Sequence, residues 1–133
     1  LVTAKSMGVL VEITNLVIPA LNDSDRDLRL LARWVKENMG AETPLHFSRF
    51  HPQHLMKHLP PTPAATLERA REIAKAEGHA FVYIGNVTTQ DGEDTICPGC
   101  GQRLISRRRY QILENKIRGG ACPACGRKIY GLW

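Results

Sequence analysis

The 133 residues hold four cysteines, and all four stand in two copies of one short pattern: Cys-Pro-Gly-Cys-Gly at 97–101 and Cys-Pro-Ala-Cys-Gly at 122–126. The spacing is C-x2-C, an interval of 21 residues, and C-x2-C again. Each turn of this kind presents two sulfurs to one point and aims backbone N–H groups at them. Two such turns supply the four thiolates that a tetrahedral metal ion takes at about 2.3 Å. Gly101 and Gly126 follow the second cysteine of each pair, where the chain commonly needs a left-handed conformation. Cys97, Cys100, Cys122 and Cys125 are therefore the candidate ligands of a zinc ribbon, with Zn²⁺ the expected ion and iron an alternative.

Three uses of such a site compete. It can be a structural clasp that lets a short segment fold without a large core. It can support a nucleic-acid surface through Arg107-Arg108-Arg109-Tyr110 and the surrounding positive charge. It can hold iron as a rubredoxin-like electron carrier, since C-P-x-C-G knuckles also suit iron. The clasp is the preferred reading, because only Tyr110 lies beside the arginine run and because the bound site itself contributes about −2.

The second set of chemically able residues is histidine. His51, His54 and His58 are spaced i, i+3 and i+7, but Pro52, Pro60 and Pro61 break the stretch, so a solvated loop is preferred over a second metal site. His51 has a further reading, because it lies just past the end of a predicted strand. In α/β barrels that edge collects catalytic and cofactor groups.

These residues must be positioned by the elements around them. Residues 9–18, Val-Leu-Val-Glu-Ile-Thr-Asn-Leu-Val-Ile, are rich in β-branched residues and end at Pro19, as a strand does. Asp23 or Ser24 can cap a helix that runs to Met39, with Leu28, Leu31, Ala32, Val35 and Met39 on one stripe and Gly40 as the stop. Residues 44–50 read as a second strand, with Leu45 and Phe47 on one face and His46, Ser48 and Phe50 on the other. Thr62 is expected to cap a second helix that begins at Pro63, buries Leu67, Ala70, Ile73 and Ala74, and ends at Gly78. Residues 79–86 read as a third strand. Strand, helix, strand, helix, strand is the pattern of parallel βαβ units. Three such strands with helices for one face make an awkward whole. Glu12 and Thr14 on the other face suggest a water-filled interior, as in part of a larger barrel.

The fold class expected is therefore α/β: a βαβαβ remnant of a partial TIM-type barrel over residues 1–87, a polar linker at 88–96, and a zinc ribbon at 97–133. Charge divides the same way. From Cys97 onward eight Lys/Arg face the single acid Glu114, a surplus of seven, whereas the preceding residues hold ten basic and twelve acidic groups. No stretch approaches about 18 consecutive apolar residues, so no membrane span is expected. No secretory leader is recognisable in Leu-Val-Thr-Ala-Lys-Ser-Met-Gly-Val-Leu, and paired thiols in such a chain point to a reducing cytoplasm.

The stretches VEITNLVIPALNDSDRDLRLLARWVKEN and LHFSRFHPQHLMKHLPPTPAATLERAREIAKAEGHAFVYIGN resemble the last third of the partial barrel in radical S-adenosylmethionine enzymes related to the pyruvate formate-lyase activating enzyme. The likeness rests on an apolar strand running into Ile18-Pro19, an Asn22-Asp23-Ser24 helix start, the strand-end pair Phe50-His51, and a Pro60-Pro61 turn leading to Thr66-Leu67-Glu68-Arg69. The continuation through both cysteine knuckles to Gly131-Leu132-Trp133 is similar to the radical enzyme of the AmmeMemoRadiSam system.

This resemblance implies reductive cleavage of S-adenosylmethionine at a [4Fe–4S] cluster and hydrogen abstraction by the resulting radical. It implies that Thr14, Leu16, Phe50 and His51 line the S-adenosylmethionine pocket. The chain has neither the C-x-x-x-C-x-x-C that holds the cluster nor the Gly-Gly-Glu motif. It is therefore expected to be a C-terminal fragment, inactive alone and with no catalytic residue of its own. Its expected partners are the N-terminal half of the barrel, a protein substrate, and a second copy through the exposed sheet. Relatives carry Ile-Pro-Gly where this chain has Ile18-Pro19-Ala20, a change expected to cost nothing essential.

Overall fold

Side chains along Ile-Thr-Asn-Leu-Val alternate between exposed and covered, which makes Ile13–Val17 a strand with two unlike faces (β1). In the computed structural model, which describes residues 1–133, β1 pairs in parallel with Leu45–Arg49 (β2), and β2 pairs in parallel with Val82–Gly85 (β3). The crossovers are the helices Asp25–Met39 (α2) and Ala64–Ala76 (α3); a short helix, Val2–Ser6 (α1), precedes them. The second sheet is antiparallel, with Thr95–Ile96 (β4), Arg103–Arg108 (β5) and Gln111–Asn115 (β6) in that order.

Both long helices lie on one face of the parallel sheet. Leu28 and Ala32 of α2 and Leu67, Ala70, Ile73 and Ala74 of α3 close over Val17, Leu45, Phe47, Val82 and Ile84. The start of α2 follows from its sequence. Ser24 Oγ accepts from the Asp27 N–H, and Asp25 and Asp27 place negative charge at the positive end of the helix dipole. Gly40, at φ +85°, ends it. Glu77 joins the two helices by accepting from Arg33 at 3.0 Å and pairing with Arg29 at 3.5 Å.

The opposite face of the sheet has no helix. Thr14 and Leu16 are exposed there, and His46, Ser48 and Tyr83 are only partly covered. Since the sheet order is β1-β2-β3, no strand lies on the outer edge of β1. The outer edge of β3 is partly covered, because the Ile84 N–H donates to the Gly92 carbonyl at 2.8 Å.

Four local expectations are corrected. The first strand spans 13–17 rather than 9–18. Only from Ile13, whose N–H meets the Pro44 carbonyl at 2.9 Å, does it have a neighbour to pair with, and Val11 instead packs on Val35 and Met39 of α2. Thr62 does not cap α3. It is wholly buried, donates to the Val17 carbonyl at 2.5 Å and accepts from the Phe50 N–H at 2.9 Å, so it ties the ends of β1 and β2. Pro63 takes the N-cap position in extended geometry, with no side-chain cap. Phe50 leaves the alternation of β2, which stops at Arg49, and is buried rather than set beside His46 and Ser48. Ala20 sits at φ +65°, the left-handed region where a Cβ is strained, so alanine for glycine at this position carries a backbone cost.

The stretch 88–96 is held down at several points. Arg71, buried on α3, pairs with Asp91 at 2.9 Å, and buried Asp94 accepts from the Arg107 N–H at 2.8 Å and from Arg103 at 3.0 Å. Phe81, just before β3, lies in one apolar cluster with Cys97, Leu104, Ile105, Ile117, Cys122 and Ile129. The ribbon is thus seated on the beginning of β3.

Candidate metal centre and the cleft beside it

The two cysteine turns are built alike. The Cys97 N–H donates to the Gln102 carbonyl at 2.8 Å and the Gly101 N–H to the Cys97 carbonyl at 2.9 Å. In the second turn the Cys122 N–H donates to the Arg127 carbonyl and the Gly126 N–H to the Cys122 carbonyl, each at 2.9 Å. Gly101 and Gly126 adopt φ +75° and +73°, as the spacing required. Cys97 and Cys122 are buried in the ribbon's apolar cluster, while Cys100 and Cys125 face solvent.

All four sulfurs lie within 4.8 Å of one another. Cys97 Sγ is 3.6 Å from Cys125 Sγ, and Cys100 Sγ is 3.7 Å from Cys122 Sγ. These separations exceed the roughly 2.05 Å of a disulfide bond. A tetrahedron with metal–sulfur bonds of about 2.3 Å has edges of about 3.8 Å. The four cysteines are positioned to hold one metal ion.

Protonation of the thiols follows the same geometry. Burial pushes the Cys97 thiol up, but the N–H groups of Cys100 and Gly99, with the facing Cys125 and Cys122 thiols, outweigh it and bring Cys97 down to about 7. The Gln102 N–H lowers the Cys100 thiol, yet burial and the three facing sulfurs push it up to about 12. One sulfur ionises readily and its neighbour then resists. A cation bound among the four sulfurs removes that conflict.

Beside the ribbon lies a cleft of about 940 Å³, walled by the helix-free face of the parallel sheet and by the ribbon. Its floor is a polar track. Glu12 Oε2 is 2.8 Å from His46 Nε2, and the His46 ring stacks on Tyr83 with centroids 4.9 Å apart. The Tyr83 hydroxyl meets Thr95 Oγ1 at 3.0 Å, and Arg107 donates to the same Thr95 oxygen at 2.7 Å. Burial pushes the Tyr83 phenol above its ordinary range, against the opposing pull of Thr95 and Arg107.

His51 lies on the cleft wall. Thr14 and Leu16 stand exposed on the same sheet face but outside the cleft lining, and Phe50 is buried away from it. His51, His54 and His58 do not converge; all three are exposed, and only His54 belongs to the short 3₁₀ turn His54–Met56. Sequence reading passed over the Glu12–His46–Tyr83–Thr95–Arg107 track. The usable signal was polar residues at alternate positions of strands otherwise built for burial. No helix of the molecule is long and apolar enough to cross a membrane.

No family model matches the chain. It is 47% identical over 128 residues to the Methanocaldococcus jannaschii protein named "Uncharacterized protein MJ0808". That alignment takes in 95% of this chain, which spans 38% of the length of that relative.

Proposed function

We propose that this chain is the C-terminal portion of a radical S-adenosylmethionine enzyme of the activating-enzyme type, in which a piece of a partial barrel carries a zinc ribbon. The observation that carries the reading is the parallel sheet with helices on one face only and an unpaired β1 edge. Parallel strands normally bury both faces, so such a sheet is suited to continue into further strands beside β1, with Thr14, Leu16, His46 and Ser48 turned toward a shared interior. That this chain spans 38% of the length of a relative fits its being a portion of a longer protein.

Zn²⁺ in the four-cysteine site is the ion that best suits a closed, thiolate-only shell used as a clasp. With all four cysteines engaged there, this chain has no cysteine left for an iron–sulfur cluster, whose thiolates would come from residues outside it. The reaction proposed for the longer protein is reductive cleavage of S-adenosylmethionine followed by hydrogen abstraction from a substrate, in a reducing cytoplasm. This chain's contribution is a wall of the interior, with His51 and the loop after β1 at the strand ends.

The test is to express the chain joined to whatever precedes Leu1 in its gene, reconstitute it with iron and sulfide, and measure 5′-deoxyadenosine after reduction. The reading expects a C-x-x-x-C-x-x-C upstream, turnover by the joined protein, and none by residues 1–133. Absence of the motif, or turnover by residues 1–133 alone, overturns it. Elemental analysis of the purified chain distinguishes zinc from iron, and a red, visibly absorbing protein would overturn the zinc assignment.

A further inference from the structure

The outermost strand of the ribbon has an unusual surface. All five residues of β6, Gln111–Asn115, are exposed, and β6 is the terminal strand of its sheet, so its outer backbone groups have no strand partner. Ile112 and Leu113 are 63% and 57% exposed, and Tyr110 at the hairpin tip is 100% exposed. Natural edge strands are usually guarded by inward charges, proline or a covering loop. Here the edge offers apolar side chains and a free ladder.

The charge around that edge is one-sided. Lys116 is neutralised by Glu114 at 3.2 Å, and Arg103 and Arg127 have carboxylate partners elsewhere. The side chains of Arg108, Arg109 and Arg118, at the hairpin and past the end of β6, make no ion pair, and the one carboxylate at the turn, Glu93, accepts from the Arg109 backbone N–H at 2.8 Å. Arg108, opposite Gln111 on β5, and Arg109 in the turn stand at one end of the open strand, and Arg118 lies past its other end.

We propose that β6 is a docking edge for an acidic, extended polypeptide segment of another protein, which adds to the ribbon sheet as a further strand. Main-chain hydrogen bonds to β6 would supply the affinity. Ile112 and Leu113 would contact alternate side chains, and the arginines would select acidic ones. A second copy of this chain fits poorly, because two such edges bring uncompensated arginines together. A nucleic acid fits less well, because it cannot complete a β ladder, and the ribbon's second exposed ring, Trp133, lies with Tyr110 on the cleft rather than on β6. This inference concerns the ribbon alone and stands apart from the radical-enzyme reading.

The experiment uses the full metal-loaded chain and synthetic peptides of about ten residues, the length of an ordinary strand. One peptide alternates Glu with Val; a second has the same charge with two prolines at its centre; a third probe is an oligouridine of similar charge. Binding is read by fluorescence anisotropy at low salt, where screening is weak, and located by amide shifts in NMR spectra. The proposal expects the Glu-Val peptide to bind, with shifts at Gln111–Asn115. Proline interruption should weaken binding at least tenfold. Arg108→Gln with Arg109→Gln, both exposed and free of folding duties in their side chains, should do the same. Equal binding of the proline peptide, tighter binding of oligouridine, or shifts confined to the Tyr83–Arg107 cleft would overturn it, as would no binding of the Glu-Val peptide.

Discussion

The α/β unit and the ribbon reach stability by opposite means. Eleven buried side chains from the parallel strands and the two long helices form a hydrocarbon core in the first. The ribbon buries seven residues in its own cluster, of which two are metal-site cysteines and one, Phe81, belongs to the other unit. Burial of apolar surface scales with chain length, so a short β module falls short and needs a crosslink. A metal ion held by the four cysteines would supply one, because its binding free energy is released only when the turns are folded. The two tryptophans happen to report the two regions separately. Trp34 lies on α2, and the Trp133 indole donates to the Ile129 carbonyl of the ribbon at 2.8 Å.

The largest break in this contrast should come from the metal. Chelation, or Cys97→Ser, is expected to remove on the order of 10 kcal/mol of coupling between binding and folding. It should collapse Trp133 fluorescence and hydrogen-exchange protection in β5 and β6 while leaving the Trp34 signal largely intact. Loss of both signals together would mean that the ribbon and the sheet fold as one unit. Phe47→Ala inverts the experiment. Phe47 is wholly buried, and its truncation should cost about 3–5 kcal/mol by urea denaturation followed at Trp34. Metal content of the ribbon should fall much less.

The joint between the regions is next in size. Asp94→Ala leaves the half-buried Arg107 N–H without its acceptor and Arg103 without its carboxylate, a loss of about 1–3 kcal/mol. It should appear as a lower melting midpoint and faster exchange at the Arg107 amide. Ala20→Gly should go the other way and gain about 0.5–1 kcal/mol, since glycine accepts a positive φ without strain. A loss of stability would show that Ala20 has a packing role that outweighs its backbone.

The smallest effect concerns acid. The hydrogen bond from Arg71, opposed by partial burial and aided by its charge, holds the Asp91 carboxyl below the usual carboxylate range. A depressed folded-state value stabilises above the unfolded value near 4 and is lost as pH falls through the folded one. Asp91 is half exposed, so the contribution is modest. Asp91→Asn should flatten the acid limb of stability below about pH 4, read at Trp34 so that metal release from the ribbon does not intrude. An unchanged acid limb would assign it to other groups.

Much of this was readable from residue order, and the exceptions have physical causes. The stripe Leu28, Ala32, Val35 and Met39 predicted the buried face of α2, because helical periodicity is local. Thr62 was misread as a cap because Thr before Pro has that look in any sequence; its true role depends on Val17 and Phe50, which are remote in the chain. Nothing in residue order marks Arg71 or Asp94 for burial, and only the folding of 88–96 against α3 and β5 buries them. Phe81 looked like a strand residue and is instead the apolar contact between the two regions.

The four-cysteine site needed nothing beyond residue order to be located, since turn chemistry and ligand spacing act within a few residues. The parallel pairing also followed from local cues, through the strand–helix alternation and the turn residues. The cleft with its Glu12–His46–Tyr83 track and the open edge of β6 came only with the tertiary structure. The cleft depends on how the ribbon sits on β3, and the edge on the order of strands within the ribbon, both set by pairings that the local sequence does not print.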